Sequence, residues 1–589
     1  MTASPRMPAL ILVSEDRSDF LLDEFGRYRR DYDLYAVTSA GATEDLAREI
    51  TADGGLVAMF VSESRLPDVT NILEAFGRWR VVVPGARRMV ASYWDHFMLD
   101  AAGLRVGLAK GKFDAYLLMP RGVRDEEFHT AVCELLSDWG STVAEPEVVS
   151  VAIVSPVEDA LTLAIRDYLD RMGMPNRVFA PGSDEGRAVL SHLEGEPDFP
   201  VVMDLGKRVA SAHSVKDVAT RIYGRPADID VDRVVDVAIV GAGPAGLAAA
   251  VYASSEGLST VVLEAEAIGG QAGTSSMIRN YLGFPRGISG MRLSQRARGQ
   301  AIRFGTEFFT GWPVTSFTPG GTDDDGAPQP HVVHTDGGDV QARAVVVSAG
   351  VEYRRLDKPG IERLVGLGVH YGSAMTAARE MEGADVIVVG GGNSAGQAAI
   401  HLARFASSVT ILVRRESLSA TMSSYLVGEI DYNPRITVRP CSEVVEGGPG
   451  DDGRLGWVTI RDTTVAGGVA AGVVDGGGGD AGGDDGGGDV GVREVRVPCR
   501  GLFLLIGATP RCDWLPPELA RDERGFVLTG RDVPQDRWSG GLPPESLQTT
   551  VPGVFAAGDI RAGSMKRVAA ASGEGASVVP LVHAWLTSS

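Results

Sequence analysis

VDVAIVGAGPAG, residues 235–246, reads as a buried apolar strand running straight into a glycine turn, and Leu247-Ala248-Ala249-Ala250 continues it as a small-residue helix. Each glycine has a mechanical job in such a turn. Gly241 makes the tight bend, Gly243 lets the backbone approach a pyrophosphate, and Gly246 allows the helix to pack closely on the strand. Pro244 and Ala245 open the helix, whose first N–H groups face outward for phosphate oxygens. The next strand, STVVLE, ends on Glu264, a carboxylate placed to hold both hydroxyls of a ribose. Strand, turn, helix and acidic residue together predict a dinucleotide site.

A second copy of the pattern stands at DVIVVGGGNSAG, residues 385–396, with Gly390, Gly392 and Ala395 at the turn positions and Asn393-Ser394 between them. Its following strand ends in Arg414-Arg415 where the first unit has Glu264. Guanidinium forks match phosphate geometry, so this unit is expected to take a 2′-phosphate, that is NADPH in preference to NADH. Near the end, VFAAGD (554–559) gives an apolar strand closing on Gly558-Asp559, with a glycine-rich helix start expected at 572–576. Asp559 is placed to accept from a flavin ribityl hydroxyl.

The 589 residues exceed one core, and about three to five domains are expected. A formal charge of −21 argues against nucleic acid or an anionic membrane as partner. No apolar run approaches the ~18 residues of a membrane helix, and the start, MTASPRMPALILVSED, lacks a signal-peptide pattern. The four cysteines, Cys133, Cys441, Cys499 and Cys512, stand in no CxxC or zinc-ligand spacing, so no metal site is expected. A cytoplasmic, multidomain α/β protein is the expectation.

Strands expected at 8–14, 56–62, 80–83 and 116–119, alternating with helical stretches, make residues 1–145 a parallel α/β domain. This segment resembles the receiver domain of response regulators, a flavodoxin-type fold. Glu15 and Asp16 match that family's acidic pair, while its phospho-accepting aspartate falls on Glu63, its lysine on Met119, and its switch hydroxyl near Pro84. The resemblance thus implies a receiver-like fold that has lost phosphotransfer; it is expected to serve as a docking or dimerisation module, the alternative being a switch locked by the Glu63 charge as a permanent mimic of phosphate. Residues 146–226, with strands at 149–154, 177–179 and 201–203, a helix at 159–173 and Phe199-Pro200 entering a strand, are similar to thioredoxin and glutaredoxin folds. The CxxC position there reads Ser155-Pro156-Val157-Glu158-Asp159; without a thiolate the domain cannot run that chemistry.

GAGPAG, IGGQ (268–271), GGGNSA, VRR, IGATP (506–510) and GVFAAGD with Lys566-Arg567-Val568 resemble the low-molecular-weight thioredoxin reductase family throughout residues 232–589. The resemblance implies an FAD domain in two segments, 232–350 and 501–589, around an NAD(P)H domain at 351–500, which must rotate to bring nicotinamide to flavin. FAD is then expected at Gly241, Gly243, Pro244, Ala245, Gly246 and Glu264. Gly270, Gln271 and Asn280 join from the loop that follows, and Gly558, Asp559, Arg567 and Val568 from the C-terminal segment. NADPH is expected at Gly390, Gly392, Asn393, Ser394, Ala395, Arg414 and Arg415. A homodimer is expected as well.

The departure is at the redox site. The family's two cysteines fall on Gly372 and Met375, neither of which takes electrons from a reduced flavin. His370 nearby reads as a solvated loop residue. The polar stretch at 318–330 reads as a hairpin loop, and 463–492, with its GGGGDAGGDDGGGD core, as a disordered acidic insert. The leading expectation is an FAD-dependent NADPH oxidoreductase serving a small redox protein or a small-molecule acceptor. The alternatives are a disulfide reductase that uses a partner's thiols, and a flavin-binding redox sensor or scaffold without turnover.

Overall fold

Strand and helix alternate from the start of the chain. The computed structural model describes residues 7–109, 111–142, 149–225, 233–275, 277–321, 329–372, 375–463 and 492–588. Most of the hairpin loop at 318–330 and of the insert at 463–492 lies outside them.

Strands β1 (Ala9–Val13), β2 (Asp33–Val37), β3 (Val57–Ser62), β4 (Arg87–Ser92) and β5 (Ala115–Leu118) form one sheet in the order β2-β1-β3-β4-β5. All its pairings are parallel. Helices α1 (Ser18–Glu24), α2 (Ala40–Ala52), α3 (Ile72–Val82), α4 (Trp94–Ala109) and α5 (Glu126–Thr142) connect and follow the strands. The strand expected at 80–83 is instead the end of α3. Asn71 caps that helix, and Ile72, Ala75, Phe76 and Trp79 bury one face at helical spacing. The strand itself is β4, which opens on two arginines. Arg87 is 1% exposed and paired with Asp114 and Asp138, so charge neutralised in the core disguised a buried strand. The strand end therefore falls at Ser92 and not near Pro84.

The next sheet has the order β7-β6-β8-β9, from β6 (Val151–Val154), β7 (Asn176–Phe179), β8 (Val201–Met203) and β9 (Val209–Ser211). Only β6–β7 is parallel. The Phe199–Pro200 bond is cis. Helices α6 (Ala160–Arg171), α7 (Asp184–Leu190) and α8 (Val215–Tyr223) begin on Asp159, Ser183 and Ser214, each side chain capping a backbone N–H.

The glycine turn at 241–246 joins β10 (Val235–Val240) to α9 (Pro244–Ser255), and β11 (Thr260–Glu264) lies parallel beside β10. The chain continues through α10 (Gly270–Gly273), α11 (Gly290–Arg303), β12 (Glu307–Thr310), β13 (Val314–Thr318), β14 (His331–Thr335), β15 (Gly338–Val347) and β16 (Val351–Tyr353). The sheet runs β12-β11-β10-β15-β14-β13.

These segments belong to one compact unit, Met1–Arg354 with Gly372–Arg379 and Gly507–Ser589. Its second and third parts share a core. Val151, Ile165, Leu169 and Met172 lie in the same buried cluster as Val237, Ile239, Ala250, Val262 and Phe308. The Tyr168 hydroxyl lies 2.9 Å from Thr310 Oγ1, and the Trp312 indole donates to the Gly224 carbonyl at 3.1 Å. A fully buried side chain of this kind contributes about 1.5–3 kcal/mol, so the seam is a core rather than a tethered contact.

The other unit comprises Arg355–Tyr371 and Glu380–Ile506. Within or adjoining it in sequence are α12 (Pro359–Glu362), β17 (Val369–Tyr371), α13 (Met375–Glu380), β18 (Asp385–Val389), α14 (Asn393–Leu402), β19 (Ser408–Leu412), α15 (Ser424–Tyr432) and β20 (Ile436–Arg439). Strands β21 (Ser442–Pro449), β22 (Leu455–Thr463), β23 (Val492–Pro498) and β24 (Gly501–Leu504) complete it. A parallel sheet, β17-β24-β18-β19-β20, carries the second glycine turn, and β21-β22-β23 is antiparallel.

The chain then adds β25 (Ala508–Pro510), paired with β16, β26 (Val554–Ala556), paired with β15, and α16 (Val568–Ser588). That last helix begins at Val568, ahead of the start expected at 572–576. Gly575 falls inside it, where α16 crosses α9 so closely that a Cβ would overlap the Ala245 carbonyl oxygen. Among the described residues no helix is long and apolar enough to cross a membrane.

Candidate functional site

The two glycine turns are built alike. At Gly241 (φ +103°) a Cβ would overlap the carbonyl oxygen of Ser348, just past β15; at Gly390 (φ +142°) it would overlap that of Leu505, just past β24. At the middle glycines the reverse holds. Among the described residues, no atom outside the glycine and its chain neighbours lies within 4 Å of where a Cβ on Gly243 or Gly392 would stand. Both middle residues are extended N-caps of the helix that follows, Gly243 before α9 and Gly392 before α14. The outer glycines are therefore demanded by the fold, whereas the middle ones leave a face of backbone open to a ligand.

In the first unit Glu264 is buried, and its two carboxylate oxygens accept from the N–H groups of Ala242 (2.7 Å) and Glu266 (2.9 Å). Burial pushes its carboxyl above the usual range, against those two bonds. Each oxygen keeps a free lone pair for a hydroxyl donor such as a ribose diol. The Gly269 N–H donates to the Ala242 carbonyl at 2.8 Å, and a Cβ on Gly270 would stand 3.3 Å from the Gly243 Cα. Gly558 sits over the same helix start, its absent Cβ 2.8 Å from that of Ala245. Asp559 is pushed above the usual carboxylate range by burial, with Lys566 opposing. Turn, ribose carboxylate, loop and C-terminal segment thus converge, and the open Gly243 face fits a diphosphate.

Asn280 and Arg567 are different. Both are exposed, and among the described residues neither side chain makes a hydrogen bond or ion pair. Gln271 points its amide at the Val351 carbonyl, bridging α10 to β16.

Residues that the motifs do not single out hold this site together. Ser348 donates its hydroxyl to the Gly241 carbonyl at 2.9 Å, and Glu574 of α16 accepts from the Gly558 N–H at 2.7 Å. The third is Tyr353, at the end of β16. Its hydroxyl is hydrogen-bonded to Thr274, and its ring packs against Gly372. Gly372 has φ +88°, and a Cβ there would lie 2.7 Å from the Tyr353 Cε2. An aromatic ring takes the place that a side chain at position 372 would occupy. Met375 opens α13.

In the other unit Arg414 and Arg415 follow β19, exposed and without an ion pair among the described residues. The turn above them is fastened by Thr421, whose hydroxyl donates to the Gly391 carbonyl at 2.7 Å. Asn393 bonds reciprocally with Ser423, its Oδ1 accepting from the backbone at 2.7 Å and its Nδ2 donating to Oγ at 3.0 Å. Ser394 and Ala395 lie in the first turn of α14. Two unpaired guanidinia beside a nucleotide turn fit a phosphate. Replacing Arg414 by alanine is expected to weaken NADPH about tenfold or more and NADH hardly at all, since a charge-assisted bidentate contact is lost only where a phosphate is present. Competition binding with the two nucleotides checks it, and equal losses would refute the assignment.

His370 is not a loop residue. It lies on β17, its ring stacks on Phe503 at 4.8 Å between centroids, and its Nε2 has no partner among the described residues. Burial, helped by the Arg454 charge, pushes it down to about 4. A histidine kept neutral in the fold adds stability above its unfolded value near 6.5, and loses it as pH falls toward 4. The gap corresponds to at most roughly 3 kcal/mol. His370→Phe should therefore flatten the decline in melting temperature between pH 6.5 and 4; an unchanged slope would contradict the burial.

The four cysteines offer no substitute dithiol. None forms a disulfide, and burial pushes Cys499 up to about 12 and Cys512 to about 11, far from a reactive thiolate.

Residues 235–575 match the family described as pyridine nucleotide-disulphide oxidoreductase. The thioredoxin reductase of Bacillus subtilis is 30% identical over 348 residues, covering 58% of this chain and 92% of its own. The bifunctional thioredoxin reductase/thioredoxin of Mycobacterium leprae is 31% identical over 356 residues, 60% of this chain and 66% of its own. A solved Lactococcus lactis thioredoxin reductase is 25% identical, covers 60% of this chain and 100% of its own, and superposes with a TM-score of 0.49.

Proposed function

The chain belongs to the pyridine nucleotide-disulphide oxidoreductase family, and from that premise we propose that it oxidises NADPH through FAD and delivers the electrons to an acceptor without a dithiol of its own. The observation that carries this reading is the Tyr353 ring standing where a side chain at position 372 would project. Bound FAD supplies the two-electron chemistry, and the protein supplies binding, orientation and access. Glu264 anchors the ribose, the open face at Gly243 takes the diphosphate, and Asp559 with the start of α16 orients the flavin end. Gly392 and the Arg414–Arg415 pair hold and select NADPH. Tyr353, fixed through Thr274, walls the position from which the family's dithiol would work, so the acceptor must itself come to the flavin. A small redox protein or a small-molecule oxidant meets that requirement.

The N-terminal modules take a supporting part in this reading. The strand order β2-β1-β3-β4-β5 is that of doubly wound receiver-like folds, and it supports that identity for residues 1–145. Glu63, just past β3, is buried, with Ser14 donating to one oxygen at 2.6 Å and Arg17 to the other at 3.0 Å; Arg17 also lies 3.6 Å over the Tyr93 ring. Its charge is consumed internally, so it neither accepts phosphate nor imitates it. Glu15 and Asp16 stand exposed beside it. The thioredoxin-like reading of residues 146–226 makes that domain a fixed part of the flavin unit rather than a carrier that swings, because the two share a core.

The test is a variant with all four cysteines replaced by serine or alanine. It should reduce its flavin with NADPH at the parent rate and keep whatever acceptor turnover the parent shows, measured by stopped flow. Loss of turnover with normal flavin reduction would mean that a working thiol exists and the reading is wrong.

A further inference from the structure

Arg171, the last residue of α6, reaches from the second domain to the loop that carries Gly270. Its guanidinium lies 3.4 Å from the carbonyls of Ala267 and Gly270, 3.4 Å from Glu266 and 3.8 Å from Asp167. The side chain is 15% exposed, and its Nε is buried with no partner among the described residues. A buried guanidinium ordinarily gathers charge-assisted bonds of about 2.7–2.9 Å, and an unmet one carries a desolvation penalty. Arg171 has none of that length. Arg511, the other cation on Glu266, holds it at 2.8 Å, so Glu266 already has a close partner. The loop that Arg171 touches is the one whose Gly270 rests on Gly243, and Glu264 lies within its electrostatic reach.

The ADP half of FAD brings about two negative charges to a wall that already bears Glu264 and Glu266, and Arg171, with hydrogen bonds no shorter than 3.4 Å and an unpaired Nε among the described residues, is a cation beside it. We propose that Arg171 binds the diphosphate–ribose half of FAD, so that the second domain contributes a residue to the flavin site. This rests on the flavoprotein reading above. It gives that domain, which has no thiol at its CxxC position, a reason to be welded to its neighbour.

The experiment measures binding to flavin-free protein by fluorescence, with FAD, riboflavin and ADP as probes. Riboflavin lacks the diphosphate and adenosine. The expected result for R171M is FAD weakened 10- to 100-fold, in the range of a lost charged hydrogen bond, with ADP weakened in parallel and riboflavin unchanged. R171K, a point charge on a similar stem, should fall between R171M and the parent, and it carries the same comparison if R171M does not fold. Equal weakening of FAD and riboflavin would make Arg171 a mere brace and overturn the proposal, as would FAD affinity within twofold of the parent. A parent that binds no FAD would instead overturn the flavoprotein reading.

Discussion

Gly243→Ala is expected to leave the flavin-free protein folded and to remove most of its affinity for FAD. Beyond the chain neighbours, none of the described residues comes within 4 Å of the added methyl, and Gly243 sits at φ −73°, a conformation open to any L residue. Stability should therefore move by less than ~0.5 kcal/mol, as for substitutions that touch nothing. The methyl would occupy the backbone face where the diphosphate must approach. An affinity loss of about 100-fold, equivalent to ~2.7 kcal/mol, is the expectation. Gly241→Ala is the control with the opposite outcome. It puts a Cβ at φ +103° and onto the Ser348 carbonyl oxygen, so the fold itself should suffer. Thermal melts of both flavin-free variants, paired with FAD titrations, separate the two effects. If Gly243→Ala bound FAD like the parent, the diphosphate would lie elsewhere.

The turns were legible because backbone geometry leaves little choice. A strand that must bend within one residue against a crossing carbonyl requires glycine, and a helix that must touch it needs glycine or alanine. What escaped the sequence was set by distant partners. Arg87 and Arg88 look like a break between elements, yet Asp114 and Asp138 turn them into a buried strand start. His370 looks like part of a polar loop until Phe503 stacks on it. Ser348, Glu574 and Arg171 carry no local signal, because each acts on a loop far away in the chain. Tyr353 belongs with them: it precedes Gly372 by 19 positions, and only the fold brings its ring against that glycine.

That ring decides the second large effect. Installing the family's cysteines, Gly372→Cys with Met375→Cys, should not create a disulfide reductase. Two obstacles meet at position 372. The backbone there has φ +88°, where an L side chain is strained by about 1–2 kcal/mol. The new Cβ would also stand 2.7 Å from the Tyr353 ring, which must shift by several tenths of an ångström. Tyr353 cannot yield freely, since Thr274 holds its hydroxyl and β16 is paired to β25. Overpacking of this kind adds typically 1–3 kcal/mol, so the double variant should lose about 2–5 kcal/mol in all. It should melt several degrees lower and reduce a small aromatic disulfide with NADPH no faster than the parent. Tyr353→Ala relieves the overlap but not the backbone strain and gives up the Thr274 bond, so the two cysteines should cost less stability when added to Tyr353→Ala than when added to the parent. A double variant that melted like the parent, or reduced the disulfide while Tyr353 was intact, would show that the ring does not close the site. Direct transfer from flavin to acceptor would then lose its main support.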